Sequence, residues 1–246
     1  MGEDGQIRGC LRLSATRIDI QVYGMHKRDS MIQNLKEKLS LPDDHIFYDD
    51  RPNGGLCIYT AKKAWLTDIP EGVTHRVALA DDTDVCNGFT DIATQIAQAH
   101  PNAIISFLPY EFMSRNPEIE GVNTPYFKAH VLWGAAIMMP VEYLEPCFDW
   151  IKGQFNDEIA DDDGIERWAK SRRIEMLTTV PAIVQHIGDD SLLTPGLRIR
   201  RTVYYSENPE ANWASTKVMQ YCEKEWFFSN HGKRRMNEGV LEVVSE

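Results

Sequence analysis

Three groups of residues in this chain are of types that do chemistry at close range. Asp82 and Asp84 form an Asp-Xaa-Asp motif just beyond the mostly apolar segment 74–80. Two carboxylates released at one point need a cation, a hydrogen-bond network or water, because packing alone cannot neutralise them. Mg²⁺ and Mn²⁺ take one or two carboxylates together with waters and substrate phosphates, so the motif fits a nucleotide diphosphate carried on metal. A solvated loop is the plain alternative. A phosphatase of the haloacid-dehalogenase type would carry Thr or Val two residues after the second aspartate, and Cys86 stands there instead.

The second group is Asp161-Asp162-Asp163-Gly164, ahead of a segment of helical composition. A helix N-terminus stabilises a carboxylate, so one of these aspartates is expected as a plain N-cap, and three exceed what capping needs. A calcium loop with Gly164 sixth would put Ile159 at its first ligand position and Lys170 at its twelfth, which excludes it. A carboxylate held here, across a cleft from the first motif, could accept a proton from an attacking hydroxyl. The third is His186, which follows the apolar stretch 181–184 and reads as a hydrogen-bonded core imidazole or as a third metal ligand.

The elements that must carry these residues follow from periodicity. Residues 17–23 alternate as a half-buried strand ended by Gly24, and Ser30 then serves as N-cap for a helix with Met31, Ile32, Leu35 and Leu39 on one stripe. Pro42 stops that helix, and Ile46-Phe47-Tyr48 forms a strand running into Asp49-Asp50. Helices over 60–68 and 87–99 alternate with strands over 74–80 and 103–108. That alternation predicts a mostly parallel sheet covered on both faces, with its chemistry beyond the carboxyl ends of the strands. Residues 110–126 read as a loop, 129–139 as an apolar run closed by Pro140, 142–155 as a helix and 174–180 as a strand.

The whole chain has 246 residues, 43% hydrophobic, with a formal net charge of −11. That apolar fraction suits a large α/β core. No window approaches a membrane span and Met1-Gly2-Glu3-Asp4-Gly5 lacks signal-peptide character, so a soluble, cytoplasmic chain without a membrane partner is expected, and no protein partner is implied. Cys10, Cys57, Cys86, Cys147 and Cys222 are an odd set with no CxxC pair and read as reduced thiols. Charge is uneven: residues 198–235 hold eight basic and four acidic residues, leaving 18 and 33 for the rest. Arg198, Arg200, Arg201, Lys233, Arg234 and Arg235 interleave there with Tyr204, Tyr205, Trp213, Tyr221, Trp226, Phe227 and Phe228. Such a mixture suits a phosphate backbone and an unstacked base, or the packing of a C-terminal element.

The order of Asp-Xaa-Asp, the Gly/Ala segment Trp133-Gly134-Ala135-Ala136, an acidic cluster opening a helix and a late histidine resembles GT-A fold glycosyltransferases. The wording of segments 77–86 (VALADDTDVC) and 184–188 (VQHIG) is similar to small phage-encoded members related to family 2, over residues 17–193. The resemblance implies an α/β, Rossmann-like, mostly parallel central sheet flanked by helices. Residues 1–193 would form the glycosyltransferase domain, with a nucleotide-sugar half at 17–110 and an acceptor half at 111–193. Residues 194–246 would be an extension packed on the same domain.

It further implies that Asp82, Asp84 and His186 hold Mn²⁺ or Mg²⁺ on the diphosphate. Gly24, Met25 and Arg28, with Asp49 or Asp50, would hold the nucleoside, and Ala135 and Ala136 would lie where donor and acceptor approach the backbone. Asp163, with Asp162 next, would be the base of an inverting enzyme. The expected reaction moves a sugar from a UDP-sugar to a hydroxyl, with hydroxymethylated pyrimidine in phage DNA as the acceptor, which a base-flipping mode would serve. Saccharide or lipid-linked acceptors, a catalytically silent nucleotide- or DNA-binding module, and the phosphatase remain alternatives.

Overall fold

The protein is described from a computed structural model, over residues 15–51, 57–109, 124–188, 202, 205–222, 226–228, 234–236 and 240–244. Its first half alternates strand and helix as the periodicity requires. Strand β1 (Ile18–Gly24) leads through a 3-10 turn at His26–Arg28 into α1 (Asp29–Leu39), which buries Ile32 and Leu35. Ser30 lies in the first turn of α1 rather than at its cap; Arg28 holds the cap position, and no side chain bonds there. Strand β2 (Ile46–Tyr48), α2 (Ile58–Leu66), β3 (His75–Ala80), β4 (Thr83–Val85), α3 (Phe89–Ala99) and β5 (Ile104–Ser106) follow.

The second half departs further from simple alternation. Tyr126, placed in a loop by its flanking prolines, opens β6 (Tyr126–Lys128), while residues 110–123 lie outside the described residues. The apolar run becomes strand β7 only over Ala136–Pro140, where all five residues are buried. Next come α4 (Leu144–Phe155), α5 (Asp161–Arg172), β8 (Met176–Thr179) and β9 (Val184–His186). The last strands are β10 (Val218–Cys222), β11 (Trp226–Phe228), β12 (Arg234–Met236) and β13 (Val240–Val244).

Nine strands form one sheet in the order β13-β10-β6-β8-β5-β7-β3-β1-β2. Six of them run the same way and β7, β6 and β10 run against them, so the sheet is mostly parallel with reversed strands let in. β10 and β13 belong to residues 194–246, so the C-terminal extension completes the main sheet. Two side-chain layers sandwich it. Ile20, Val22, Val77 and Leu79 face α1 and α3 on one side. Tyr23, Ala78, Ile137 and Met139 face α2, α4 and α5 on the other.

β1 is buried on both faces rather than half-exposed as its alternation predicted. Its polar Asp19 and Gln21 are only 5% and 2% exposed. Arg76 of β3, wholly buried, reconciles them: its guanidinium donates to Asp19 at 2.9 Å and to the carbonyls of Trp65, Thr67 and Asp68. One side chain thus neutralises a buried carboxylate and satisfies orphan acceptors at and just beyond the end of α2. No helix among the described residues is long and apolar enough to cross a membrane. Cys57, Cys86 and Cys147 are free thiols, and Cys10 lies outside the described residues.

Candidate functional site

β1 pairs with β2 on one side and β3 on the other, all parallel, and the helices that leave the carboxyl ends of β1 and β2 pack on opposite faces of the sheet. Such a switch point opens a crevice. Gly24 ends β1 there, beside Asp81, and a Cβ at Gly24 would overlap the Asp81 side chain. The close approach lets Met25 N–H donate to Asp81 Oδ2 at 2.7 Å. Arg28 Nη1 reaches both Asp81 Oδ1 at 2.9 Å and Asp82 Oδ2 at 2.6 Å. Glycine, arginine and two aspartates therefore come from two strand ends into one charge cluster, with both carboxylates nearly buried.

β4 and β9 form a separate antiparallel ribbon that sets Thr83 against His186. His186 Nε2 lies 2.9 Å from Asp82 Oδ2. Burial raises the Asp82 carboxyl, but His186 and Arg28 outweigh it and hold the group below its ordinary range. Asp81 moves the opposite way, pushed up by burial and by the Asp82 charge. Two adjacent carboxyls are thus separated in acidity by their surroundings.

Asp84, two residues along the ribbon, accepts from Lys38 of α1 at 2.8 Å and is not joined to the Asp82–His186 pair. The metal set that the resemblance implies is therefore brought together in part. Among the described residues no group of three or more His, Cys, Asp or Glu side chains is arranged around one point. His186 Nδ1, however, is buried with no hydrogen-bond partner among them. The Asp82 carboxylate and the imidazole that meets it through Nε2 are donor types that Mn²⁺ or Mg²⁺ takes when diphosphate and water oxygens complete the shell, while the unmatched Nδ1 is the ring nitrogen away from Asp82.

The opposite wall is the turn before β7. Ala135 accepts the Ala80 N–H at 2.8 Å, which ties this turn to the end of β3, and Trp133 meets His186 edge-on at 6.0 Å between ring centres. Gly134 N–H donates to Asp162 Oδ2 at 3.0 Å. A Cβ at Gly134 would stand 3.1 Å from Asp162, tighter than an ordinary contact. Ala160, not an aspartate, is the N-cap of α5, so all three aspartates lie in its first turn and point differently. Asp161 is 1% exposed and meets Tyr23 and Cys57, Asp162 faces Gly134 half-buried, and Asp163 is exposed on the surface. Burial above all pushes the Asp162 carboxyl up to about 6.

At the end of β2, Asp49 N–H donates to Gly24 O at 2.8 Å, and Arg51 Nε donates to the Asp49 carboxylate at 2.8 Å. Arg51, working against burial, holds the Asp49 carboxyl at about 2. Asp50 is exposed and pairs with His26 at 3.5 Å, while the His26 ring stacks on Tyr48 at 4.2 Å. Of the basic tail, Arg198, Arg200, Arg201 and Lys233 lie outside the described residues, whereas Arg234 and Arg235 lie on β12 opposite Phe228 and Phe227 of β11.

Sequence reasoning missed Asp81, Tyr23 and the separate roles within the aspartate triplet. The consecutive pair Asp81-Asp82 was the available signal for the first, since either residue can leave a strand end. Nothing local announces Tyr23, whose partners lie 111 and 138 residues away. Compared with known proteins, the chain matches no family model and no curated protein.

Proposed function

We propose that the protein transfers a sugar from a nucleotide diphosphate donor to a hydroxyl acceptor. One observation carries this reading: Arg28, Asp81, Asp82 and His186 converge at the switch point of the sheet, and the half-buried Asp162 stands on the facing turn. A guanidinium beside two carboxylates and an imidazole suits an anion brought in with a divalent cation. A carboxyl raised to about 6 suits proton abstraction near neutral pH.

In this reading the nucleoside lies along the segment from Gly24 to Arg28, beside Asp49. Asp82 and His186 would hold Mn²⁺ or Mg²⁺, which when bound neutralises charge on the leaving diphosphate. Arg28 adds fixed positive charge at the same place. Asp162 accepts the proton of the acceptor hydroxyl as its oxygen bonds to the anomeric carbon, and the bond to the diphosphate breaks with its electron pair leaving on phosphate. Asp162 is favoured over Asp163 because the Gly134 N–H fixes its carboxylate, and over Asp161 because Asp161 is sealed from solvent. The basic, aromatic tail recommends hydroxymethylated DNA as acceptor.

The test is a melting-temperature screen of nucleotide sugars with and without Mn²⁺, followed by mass spectrometry of hydroxymethylated DNA and of saccharide acceptors incubated with the responding donor. A Mn²⁺-dependent rise for one donor, with added sugar mass on an acceptor, supports the reading. Absence of any rise and of any transfer overturns it. Phosphate release from a simple ester without nucleotide would assign a phosphatase instead.

A further inference from the structure

Behind Asp162 lies a buried chain of hydrogen bonds that its own chemistry does not require. Cys57 Sγ is 2.9 Å from Asp161 Oδ1, and Tyr23 Oη is 3.3 Å from Asp161 Oδ2. The Tyr23 hydroxyl also stands 2.8 Å from the carbonyl oxygen of Gly134. That same glycine donates its N–H to Asp162. Three elements, the end of β1, the turn before β7 and the first turn of α5, are thereby joined through one residue, Gly134.

The proton inventory of this chain closes when Asp161 carries a proton. A carbonyl oxygen can only accept, so the shorter Tyr23 contact uses the single hydroxyl hydrogen on Gly134. Tyr23 Oη is then left as an acceptor toward Asp161 Oδ2, and a deprotonated carboxylate has nothing to donate. A protonated Asp161 does, and its other oxygen accepts from the Cys57 thiol. Burial agrees with this assignment. Asp161 is 1% exposed, and among the described residues no lysine, arginine or histidine pairs with it. From β1 it faces Tyr23, from the residue before α2 Cys57, and from its own helix Asp162. Cys57, the first-turn N–H groups and Tyr23 favour the charged form, and burial outweighs them. Burial likewise keeps the Cys57 thiol and the Tyr23 hydroxyl protonated, so both remain donors.

We infer that Asp161 is a neutral carboxylic acid in the folded protein and a positioning residue that, through Tyr23 and the Gly134 peptide, fixes the Asp162 carboxylate. A neutral Asp161 removes like-charge repulsion from its neighbour, so Asp162 can ionise and act as a base beside it. The positioning role rests on the proposed transfer; the protonation state does not. An ionised Asp161 would set a second charge beside the Asp162 carboxylate, which already takes the Gly134 and Asp163 N–H groups.

Infrared difference spectroscopy of the full chain against Asp161→Asn at neutral pH tests the protonation state without any substrate. The C=O stretch of a protonated carboxylic acid, lost in Asp161→Asn, is the expected result; a wild-type spectrum without that band overturns the inference. The positioning role is read from the pH profile of sugar transfer. Asp161→Asn keeps a neutral donor at the same atom, so it restores the turnover that Asp161→Ala loses and leaves the acid-limb midpoint where it is in the wild type. A midpoint moved down by a full pH unit in Asp161→Asn would mean that Asp161 is charged, and overturns the proposal. Tyr23→Phe, with a melting temperature near wild type, lowers kcat by about tenfold to a hundredfold at unchanged donor KM. Unchanged kcat in Tyr23→Phe removes the positioning role. If the wild type transfers no sugar, the reading of function fails, and the infrared arm still decides Asp161.

Discussion

Asp162 differs from its two neighbours only in what each carboxyl touches. Asp163 is on the surface and Asp161 is sealed, while Asp162 accepts from Gly134 and keeps part of its side chain open. A base must be deprotonated, so kcat/KM is expected to rise with pH and level off above about 6. Asp162→Asn should lower kcat by about 10²–10⁴-fold while leaving the donor-induced rise in melting temperature intact, and a variant of wild-type rate would remove Asp162 from the chemistry. Asp82→Ala should abolish the Mn²⁺-dependent part of that rise. Asp84→Ala should keep it, because Asp84 is held by Lys38 at the surface and that exposed pair contributes at most about 1 kcal/mol. Equal loss in both variants, measured by calorimetric titration of Mn²⁺ with donor present, would restore Asp84 to the metal site. The triplet was legible in the sequence as a place where carboxylates gather. Which one performs chemistry was not, because consecutive positions on a first turn point in different directions.

Among the elements, two residues decide how β1 and β3 meet the site. Arg76, itself wholly buried, joins β3, β1 and the end of α2 through Asp19 and three carbonyls. Arg76→Met should cost about 3–5 kcal/mol in denaturant unfolding, since removing one partner leaves Asp19 buried and uncompensated. A midpoint close to wild type would show that Asp19 finds water or another donor. Gly24→Ala acts on the site itself. Its methyl group would displace Asp81, break the Met25 hydrogen bond and weaken donor binding, at about 1–3 kcal/mol of stability. The helices and the main-sheet strands of the first hundred residues were readable because apolar periodicity is local, whereas the three-residue β4 was not. Nor was β6, since three residues directly after Pro125 carry no period, and pairing with β8 and β10 is what makes them a strand.

For the whole molecule, the buried titratable groups set how stability varies with pH. Asp161 and Asp162 bind protons more tightly folded than unfolded, so their contribution is full below about pH 4 and is lost as pH rises through the folded value, about 6 for Asp162. His75 and His100, pushed down by burial, act in the other direction: their contribution is present above about pH 6.5 and is lost as pH falls. Asp162→Asn should therefore gain roughly 2 kcal/mol on the wild type between pH 4 and 7, measured by urea unfolding across that range. A constant difference would mean that Asp162 titrates normally. The layered α/β plan, the crevice end of the sheet and the residue types gathered there can be read from residue order, because hydropathy period and strand-helix alternation are properties of neighbours along the chain. Only the tertiary structure decided that Asp81 and Arg28 join Asp82, that Asp84 turns to Lys38, and that Asp161 is buried behind Asp162. Those choices depend on contacts between residues tens to more than a hundred positions apart, and no local pattern encodes them.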